Sequence, residues 1–335
     1  MEDIGKQSYK KTMTMLAMVF FFVGGVALSI GAAIIPLSDV FDGVFASELT
    51  ERAEIIRQIR FPRVVAAALI GSALGMAGSI IQGVTRNPLA DPGLIGITAG
   101  ASFALSIGYA FFEALPFLAL SGISFMGALF GIVLVLGFAL FSREKLSVFS
   151  LLLVGASVSM FLHALTQGIG LYFGVSKHVN MWTSGGLSGI AWGQLWVSGP
   201  LIILSGLIGL FYARRISLLS LDEDLAIALG LHVLRTKVVL MVVIAVLTGI
   251  AVALAGNLAF VGLMIPHLVR KFVGHDYRRV IPASILVGGI FMMAADLLAR
   301  TMNRPYEVPL AAVVAVIGFP FFLVIVTRMK GGGNG

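Results

Sequence analysis

The sequence predicts an all-α integral membrane protein with about ten transmembrane helices, and three observations predict it. Apolar types make up 59 % of the 335 residues and charged types 12 %, against roughly 45–50 % and about 25 % in a soluble domain. Mean hydropathy is +1.02. Apolar runs approaching the ~20 residues that a bilayer crossing needs recur along the whole chain. Charges this sparse cannot cover a water-facing surface, which excludes a soluble enzyme. The absence of cysteine excludes a disulfide scaffold, thiolate metal ligands, a cysteine nucleophile and a lipid-modified N-terminal cysteine. The net charge of +7 fits basic cytoplasmic loops better than nucleic-acid binding.

The first run, 14–35, follows Lys6, Lys10 and Lys11 as a signal peptide would. It exceeds the ~7–15 apolar residues of a signal sequence, and no A-x-A-like cleavage site precedes Pro36. It is therefore expected to be a retained span behind a cytoplasmic tail, 1–13. The second run, 64–84, carries Ala67, Gly71, Gly75, Gly78 and Ser79. Its Gly71/Gly75 pair is a GxxxG, which lets helix backbones approach closely in lipid. Runs at 94–112, 117–141, 146–172, 195–213 and 238–257 follow. The stretch 258–270 is short, a half-length or re-entrant helix. Runs at 280–299 and 308–327 complete ten, and 329–335 is a flexible tail. The whole chain, 1–335, reads as one transmembrane domain.

With the N-terminus inside, the outer basic residues are Arg52, Arg57, Arg60, Arg63, Lys177, Arg300 and Arg304, leaving 16 of the 23 inside. That bias predicts both termini in the cytoplasm. Six of the seven outer cations are arginines. They fall in two places, before the second span and after the ninth.

Ionisable residues within the spans are few: Asp296 near a helix end, His163 and His267. An ion-coupled carrier relies on intramembrane carboxylates or histidines, and this set makes a poor relay. Neither H-E-x-x-H nor a G-x-x-x-x-G-K-[ST] phosphate loop is present, and G-x-S-x-G is missing too. No bond chemistry, metal site or bound cofactor is expected of this chain, and energy for uphill transport is expected from elsewhere.

Two inner segments stand out. In 217–232, Ser220 and Glu223 have capping-box spacing. Asp222, Glu223 and Asp224 crowd the first turn, where the helix dipole favours anions. Leu221, Leu225, Ala228 and Leu229 form one apolar face, and Gly230 is placed to end the helix left-handed. Helices that lie on bilayers are rich in Lys and Arg. This one is acidic, so a protein partner is preferred over lipid. The second segment, R-N-P-L-A-D-P at 86–92, cannot continue a helix through its two prolines.

These residues carry a resemblance. I-R-F-P-R (59–63), R-N-P-L-A-D-P (86–92), G-I-T-A-G-A (96–101), M-W-T-S-G-G-L (181–187) and L-D-E-D-L-A-I-A-L-G (221–230) occur in order. G-N-L-A-F-V-G-L-M-I-P-H-L-V-R (256–270), the most specific block, is followed by G-H-D-Y-R, A-D-L-L-A-R and E-V-P-L. Together they resemble the FecCD-type permeases of ATP-driven iron–siderophore, haem and cobalamin importers.

The resemblance implies a bacterial cytoplasmic-membrane importer. It implies a second permease subunit, two ATPase subunits that hold ATP and magnesium, and an extracytoplasmic two-lobed binding protein. Segment 217–232 then matches the cytoplasmic coupling helices that dock into the ATPase, with Ser220, Leu221, Asp222, Glu223, Asp224, Leu225, Leu229 and Gly230 as candidate coupling residues. Arg60, Arg63 and Arg300 match outer-rim cations that meet carboxylates on the binding-protein lobes. Arginine suits this because its planar fork holds a carboxylate bidentately. The weighed alternative is snorkelling, or pairing with Glu51, Glu54 or Glu307. Gln82, Asn180, Met181 and Trp182 are candidates for the translocation path, with Gln82 bonding a neighbouring helix and Trp182 a belt residue as alternatives. Iron–siderophore cargo is the preferred reading, with haem or cobalamin next. An ion-coupled secondary transporter and a membrane scaffold that moves nothing are the rivals.

Overall fold

The computed structural model describes residues 2–31, 36, 40, 43, 51–94, 96–112, 114–141 and 148–331. The chain opens with α1 (Glu2–Ser29). A short α2 (Glu51–Ile55) runs through one π-helical turn, Ile56–Arg60, into α3 (Phe61–Thr85). Next come α4 (Ile97–Phe111), α5 (Phe117–Phe141), α6 (Val148–Tyr172) and the short α7 (Ser176–Thr183). Then follow α8 (Trp192–Leu221), α9 (Glu223–Ala228), α10 (Val233–Ala255), α11 (Val261–Val273), α12 (Tyr277–Thr301) and α13 (Leu310–Gly331).

Each of the ten apolar runs is occupied by a helix. Among the described residues, seven helices are long and apolar enough to cross a membrane, in α1, α3, α5, α6, α8, α10 and α12. The apolar helices Ile97–Phe111 and Leu310–Ile325 are shorter, and α11, with 13 residues, is short as its sequence predicts. The segment 1–13 is helical from Glu2, continuous with the first span. At the other end α13 runs to Gly331.

Lipid is as apolar as leucine, so side-chain hydrophobicity alone does not drive membrane helices together; close backbone packing and polar contacts do. The second span shows this. α3 is the centre of the bundle, packed against α12, α10, α11 and α8, and 78 % of its span is buried, against 11 % of α1's. Its glycines face backbone: a Cβ on Gly71 would run into the Gly288 carbonyl of α12, and one on Gly78 into the Gly262 carbonyl of α11. Between them Ser79 donates to Ser284 Oγ at 2.8 Å. Ile70, Met76, Ile80, Leu240, Ile244 and Ile265 fill the space around the stripe.

The bundle has two polar ends. One gathers the C-terminal end of α1, the start of α3 and the last turns of α12. The other gathers the end of α3, α9 and the start of α10. Arg279 lies 5.4 Å from the Tyr9 ring, which brings the first turns of α1 to the first turn of α12.

Candidate functional site: a buried arginine network and an exposed helical knob

At the first end, Arg63 donates from Nε and Nη2 to Asp296 Oδ1 at 3.0 and 2.8 Å. The same guanidinium reaches Glu307 at 2.6 Å from Nη1 and 3.0 Å from Nη2. Arg300, one turn beyond Asp296, places Nε 3.1 Å from Asp296 Oδ2 and donates to the Ala27 carbonyl at 3.1 Å. Arg60 donates to the Leu28 and Ser29 carbonyls, both at 2.9 Å. The last turn of a helix leaves carbonyls without intrahelical partners and carries partial negative charge. Arg60 and Arg300 supply what the end of α1 lacks.

These are the three arginines that the resemblance places at the outer rim, and each is engaged within its own chain. Arg60, Arg63 and Arg300 are 7 %, 7 % and 5 % exposed. Arg63 adopts the pairing with Glu307 that had been weighed against docking. Asp296, 1 % exposed between two guanidiniums, is a structural counter-ion.

At the second end the short helix α9 stands clear of the bundle. Ser220 and Glu223 do not form its cap. α8 continues through Leu221, and Ser220 Oγ donates to the Ser217 carbonyl inside it. The chain breaks at Asp222 (φ −158°, ψ 145°), whose Oδ1 accepts from the Asp224 and Leu225 N–H groups at 2.9 and 3.0 Å. The Leu225 N–H holds the Asp222 carboxyl below its ordinary range; desolvation, the next largest effect, opposes it, and the Asp224 N–H and the charge of Arg86 add to the lowering. Gly230 (φ 82°) ends the helix as expected. Its N–H reaches Ile227 and that of Leu231 reaches Ala226, the paired bonds of a Schellman motif.

Ala226 is the knob's buried foot, packed with Leu219, Leu231 and Val233. Glu223 is tied to Lys237 of α10 at 2.8 Å, and Arg86 lies 3.6 Å from Asp222 and 4.0 Å from Glu223. The predicted apolar residues face outward: Leu221 is 68 %, Leu225 47 % and Leu229 61 % exposed, joined by Ile227 at 55 %. Asp224 and Ala228 are exposed beside them.

The loop after α3 braces this end. Arg86 (φ 52°) closes α3, the Asn87 side chain accepts from the Leu89 N–H at 2.9 Å, and that of Asp91 from the Gly93 N–H at 2.7 Å; such Asx turns suit Asn and Asp. Gln82, 2 % exposed, donates to the Gly262 and Leu263 carbonyls at 3.3 and 3.2 Å and accepts from Arg270 at 2.5 Å. It joins helices, the alternative given for it above, at the edge of a cavity that it also lines. Asn180 and Met181 on α7 are exposed. Trp182 packs its ring against Phe117, centroids 4.8 Å apart. Of the histidines, His163 is exposed on α6, and His267 sits edge-on to Phe321 at 5.9 Å.

Sequence reasoning missed the tethers Arg86 and Lys237 and the exposed Ile227. Arg86 carried a signal, a cation at a helix end just before Asn-Pro. Lys237 carried none, since its carboxylate lies fourteen positions away on another helix.

A sequence model of the FecCD transport family matches residues 16–328. The iron(3+)-hydroxamate import system permease protein FhuB of Bacillus subtilis (strain 168) is 40 % identical over 311 residues, covering 91 % of this chain and 80 % of that protein. The hemin transport system permease protein HmuU of Yersinia pestis is 35 % identical over 279 residues, covering 81 % and 83 %. A solved structure described as a metal-chelate type ABC transporter in an inward-facing conformation superposes with a TM-score of 0.84 at 27 % identity, covering 95 % of this chain and 99 % of that one.

Proposed function

From the premise that the chain belongs to the FecCD transport family, we propose that it is the membrane-spanning permease subunit of an ATP-driven importer of iron–siderophore complexes. A second permease chain completes the path, two ATP-binding subunits sit at the knob end, and a binding protein loads cargo at the arginine end. ATP and magnesium belong to the ATPase, and this chain does no bond chemistry. Both termini and the knob are cytoplasmic.

The observation that carries this reading is the knob. Four large apolar side chains, Leu221, Leu225, Ile227 and Leu229, are exposed on and at the two ends of a short helix whose foot is buried and whose carboxylates are tethered by Arg86 and Lys237. Clustered exposed apolar residues on an otherwise polar segment mark a protein interface. Closure of an ATPase dimer would push the knob, and its tethers pass that push to α3 and α10.

At the other end, docking works by exchange. Glu307, 42 % exposed, covers the Arg63 fork. A lobe carboxylate of the binding protein replaces it there. Arg60 and Arg300 hold the helix ends in place while this happens.

For the path, α6 and α8 differ. The exposed face of α8 is apolar, with Trp196, Leu204, Leu207 and Phe211, and suits lipid. That of α6 mixes Met160, Phe161 and Leu165 with the polar or small Ser157, His163, Gln167 and Gly168, and this mixed face is the one assigned to the path between two chains. Asn180 and Met181 lie at its mouth. A large polar cargo needs a wide path without a tight site, so selectivity rests with the binding protein.

The test is reconstitution. Proteoliposomes holding both permease chains and the ATPase should take up ferric hydroxamate only with ATP and loaded binding protein present. Uptake driven by an ion gradient without the ATPase would establish the secondary-transporter reading, and no uptake under any condition the scaffold reading. Hemin is the second cargo to try, given the hemin permease among the relatives.

A further inference from the structure

We propose that a cavity at the knob ends of α3, α8, α11 and α12 binds the phosphate headgroup of an anionic phospholipid. The cavity has a volume of about 950 Å³. Arg214, Arg270, Lys271 and Arg278 line it, and Asp276 is its one carboxylate.

That carboxylate is already engaged. Asp276 caps α12 by accepting from the Arg278 N–H at 3.0 Å, pairs with the Arg278 side chain, and accepts from Ser217 Oγ at 2.9 Å. Among the described residues, Arg214, Arg270 and Lys271 have no carboxylate within ion-pair distance. Arg270 is held from behind by neutral acceptors, Gln82 Oε1 at 2.5 Å and the Tyr277 hydroxyl at 3.4 Å. A guanidinium carries five N–H donors, so the remainder are free to serve the cavity. Gln82 is itself fixed by the Gly262 and Leu263 carbonyls. Arg270 is therefore a pre-positioned donor, and an anion with several acceptor oxygens is what this lining lacks.

The surroundings favour a lipid over a soluble phosphate. On α8 the exposed residues Ile203, Leu207 and Leu210 follow one helical stripe that leads at the next turn to Arg214. An acyl chain lying along that stripe brings its phosphate to the guanidinium. On α11, Phe272 beside Lys271 is 74 % exposed. Basic pockets between helices at the level of the membrane surface are suited to lipid headgroups. The inference does not depend on the importer reading, and its test does not use ATP or cargo.

The experiment is native mass spectrometry of the full-length chain released from detergent with equimolar phosphatidylglycerol and phosphatidylcholine. Phosphatidylglycerol adducts should exceed phosphatidylcholine adducts by about thirty- to hundredfold, as two or three interfacial cations provide. The Arg214→Gln/Lys271→Gln variant should bring the ratio near one, and Arg214→Lys/Lys271→Arg should keep it, which separates lost charge from lost folding. Arg235→Gln, at an exposed basic position outside the cavity, should leave the ratio unchanged. Equal retention of both lipids by the wild type, or an undiminished ratio in the double glutamine variant, overturns the proposal. So does an Arg235→Gln effect as large as the double variant's. If inorganic phosphate binds with the same dependence on Arg214 and Lys271 while no lipid preference is seen, the ligand is soluble phosphate and the lipid assignment fails.

Discussion

The two ends of this molecule treat charge and grease in opposite ways. At the arginine end, charged groups are buried and paired. Within the network Asp296 is 1 % exposed between Arg63 and Arg300, and Glu307 is the member that reaches the surface. At the knob end, Leu221, Leu225 and Leu229 are exposed and the charges beside them are loosely tethered. A network closed on itself holds helices α1, α3 and α12 in register. A helix with its leucines outward is complete only against something else. The first end pairs its charges within its own chain, and the second leaves its leucines uncovered by it.

The largest expected effect would break the first half of that contrast. Removing one partner of a buried ion pair leaves an uncompensated charge and costs about 3–5 kcal/mol. Asp296→Ala strips the counter-ion from two arginines at once, and should lower folded yield and thermal stability in detergent accordingly. A melting temperature within a degree of wild type would make the network incidental.

The next prediction concerns the second half. Leu225→Ala/Leu229→Ala should leave the permease folded and weaken its complex with the ATPase by about thirtyfold, the size of an interface hot spot. Replacing Asp222, Glu223 and Asp224 together by Lys should weaken it at least as much and uncouple hydrolysis. Unchanged affinity and coupling in both variants would remove the docking role from the knob.

A smaller effect tests the exchange at Arg63. Glu307 is partly solvated, so Glu307→Gln should cost at most about 1 kcal/mol of stability. The same change should tighten binding-protein capture by about three- to tenfold, because the competing carboxylate is gone. Weaker capture would mean that Glu307 itself contacts the lobe.

The smallest effect is a pH dependence. The folded carboxyl of Asp222 titrates below its ordinary range, so its cap on α9 is fully present above the unfolded value, near pH 4, and is lost as pH falls through the lowered one. Hydrogen-exchange protection of the 224–229 amides, corrected for intrinsic rates, should hold at pH 5 and decline only below about pH 4. Loss of protection already at pH 5–6 would assign the cap to another group.

The helices were legible because apolar length is a local property. Even the shortness of α11 and the left-handed turn at Gly230 can be read from single stretches. The GxxxG of α3 announced a close crossing, though not that Gly288 and Ser284 stand opposite. What escaped were questions of proximity. An arginine near a membrane surface reads alike whether it faces a partner, a headgroup or a helix end. Only the arrival of Asp296, 233 positions from Arg63, decides. The partners of Gln82 escaped for the same reason, since the carbonyls it binds belong to α11. The cap was misplaced because Ser220 and Asp222 both satisfy capping rules. The choice between them lay in how far α8 continues, which apolar Leu218, Leu219 and Leu221 leave open.

The wrapping of α3 has a consequence for biosynthesis. This helix leaves the ribosome second among the spans and is apolar enough, at a mean hydropathy of 2.1, to partition unaided into the bilayer. Three of the helices that sheathe it, α10, α11 and α12, are translated more than a hundred residues later. Until they come, its glycine groove is an empty socket in the lipid, and any nascent chain arrested before residue 233 is a natural client for membrane quality control.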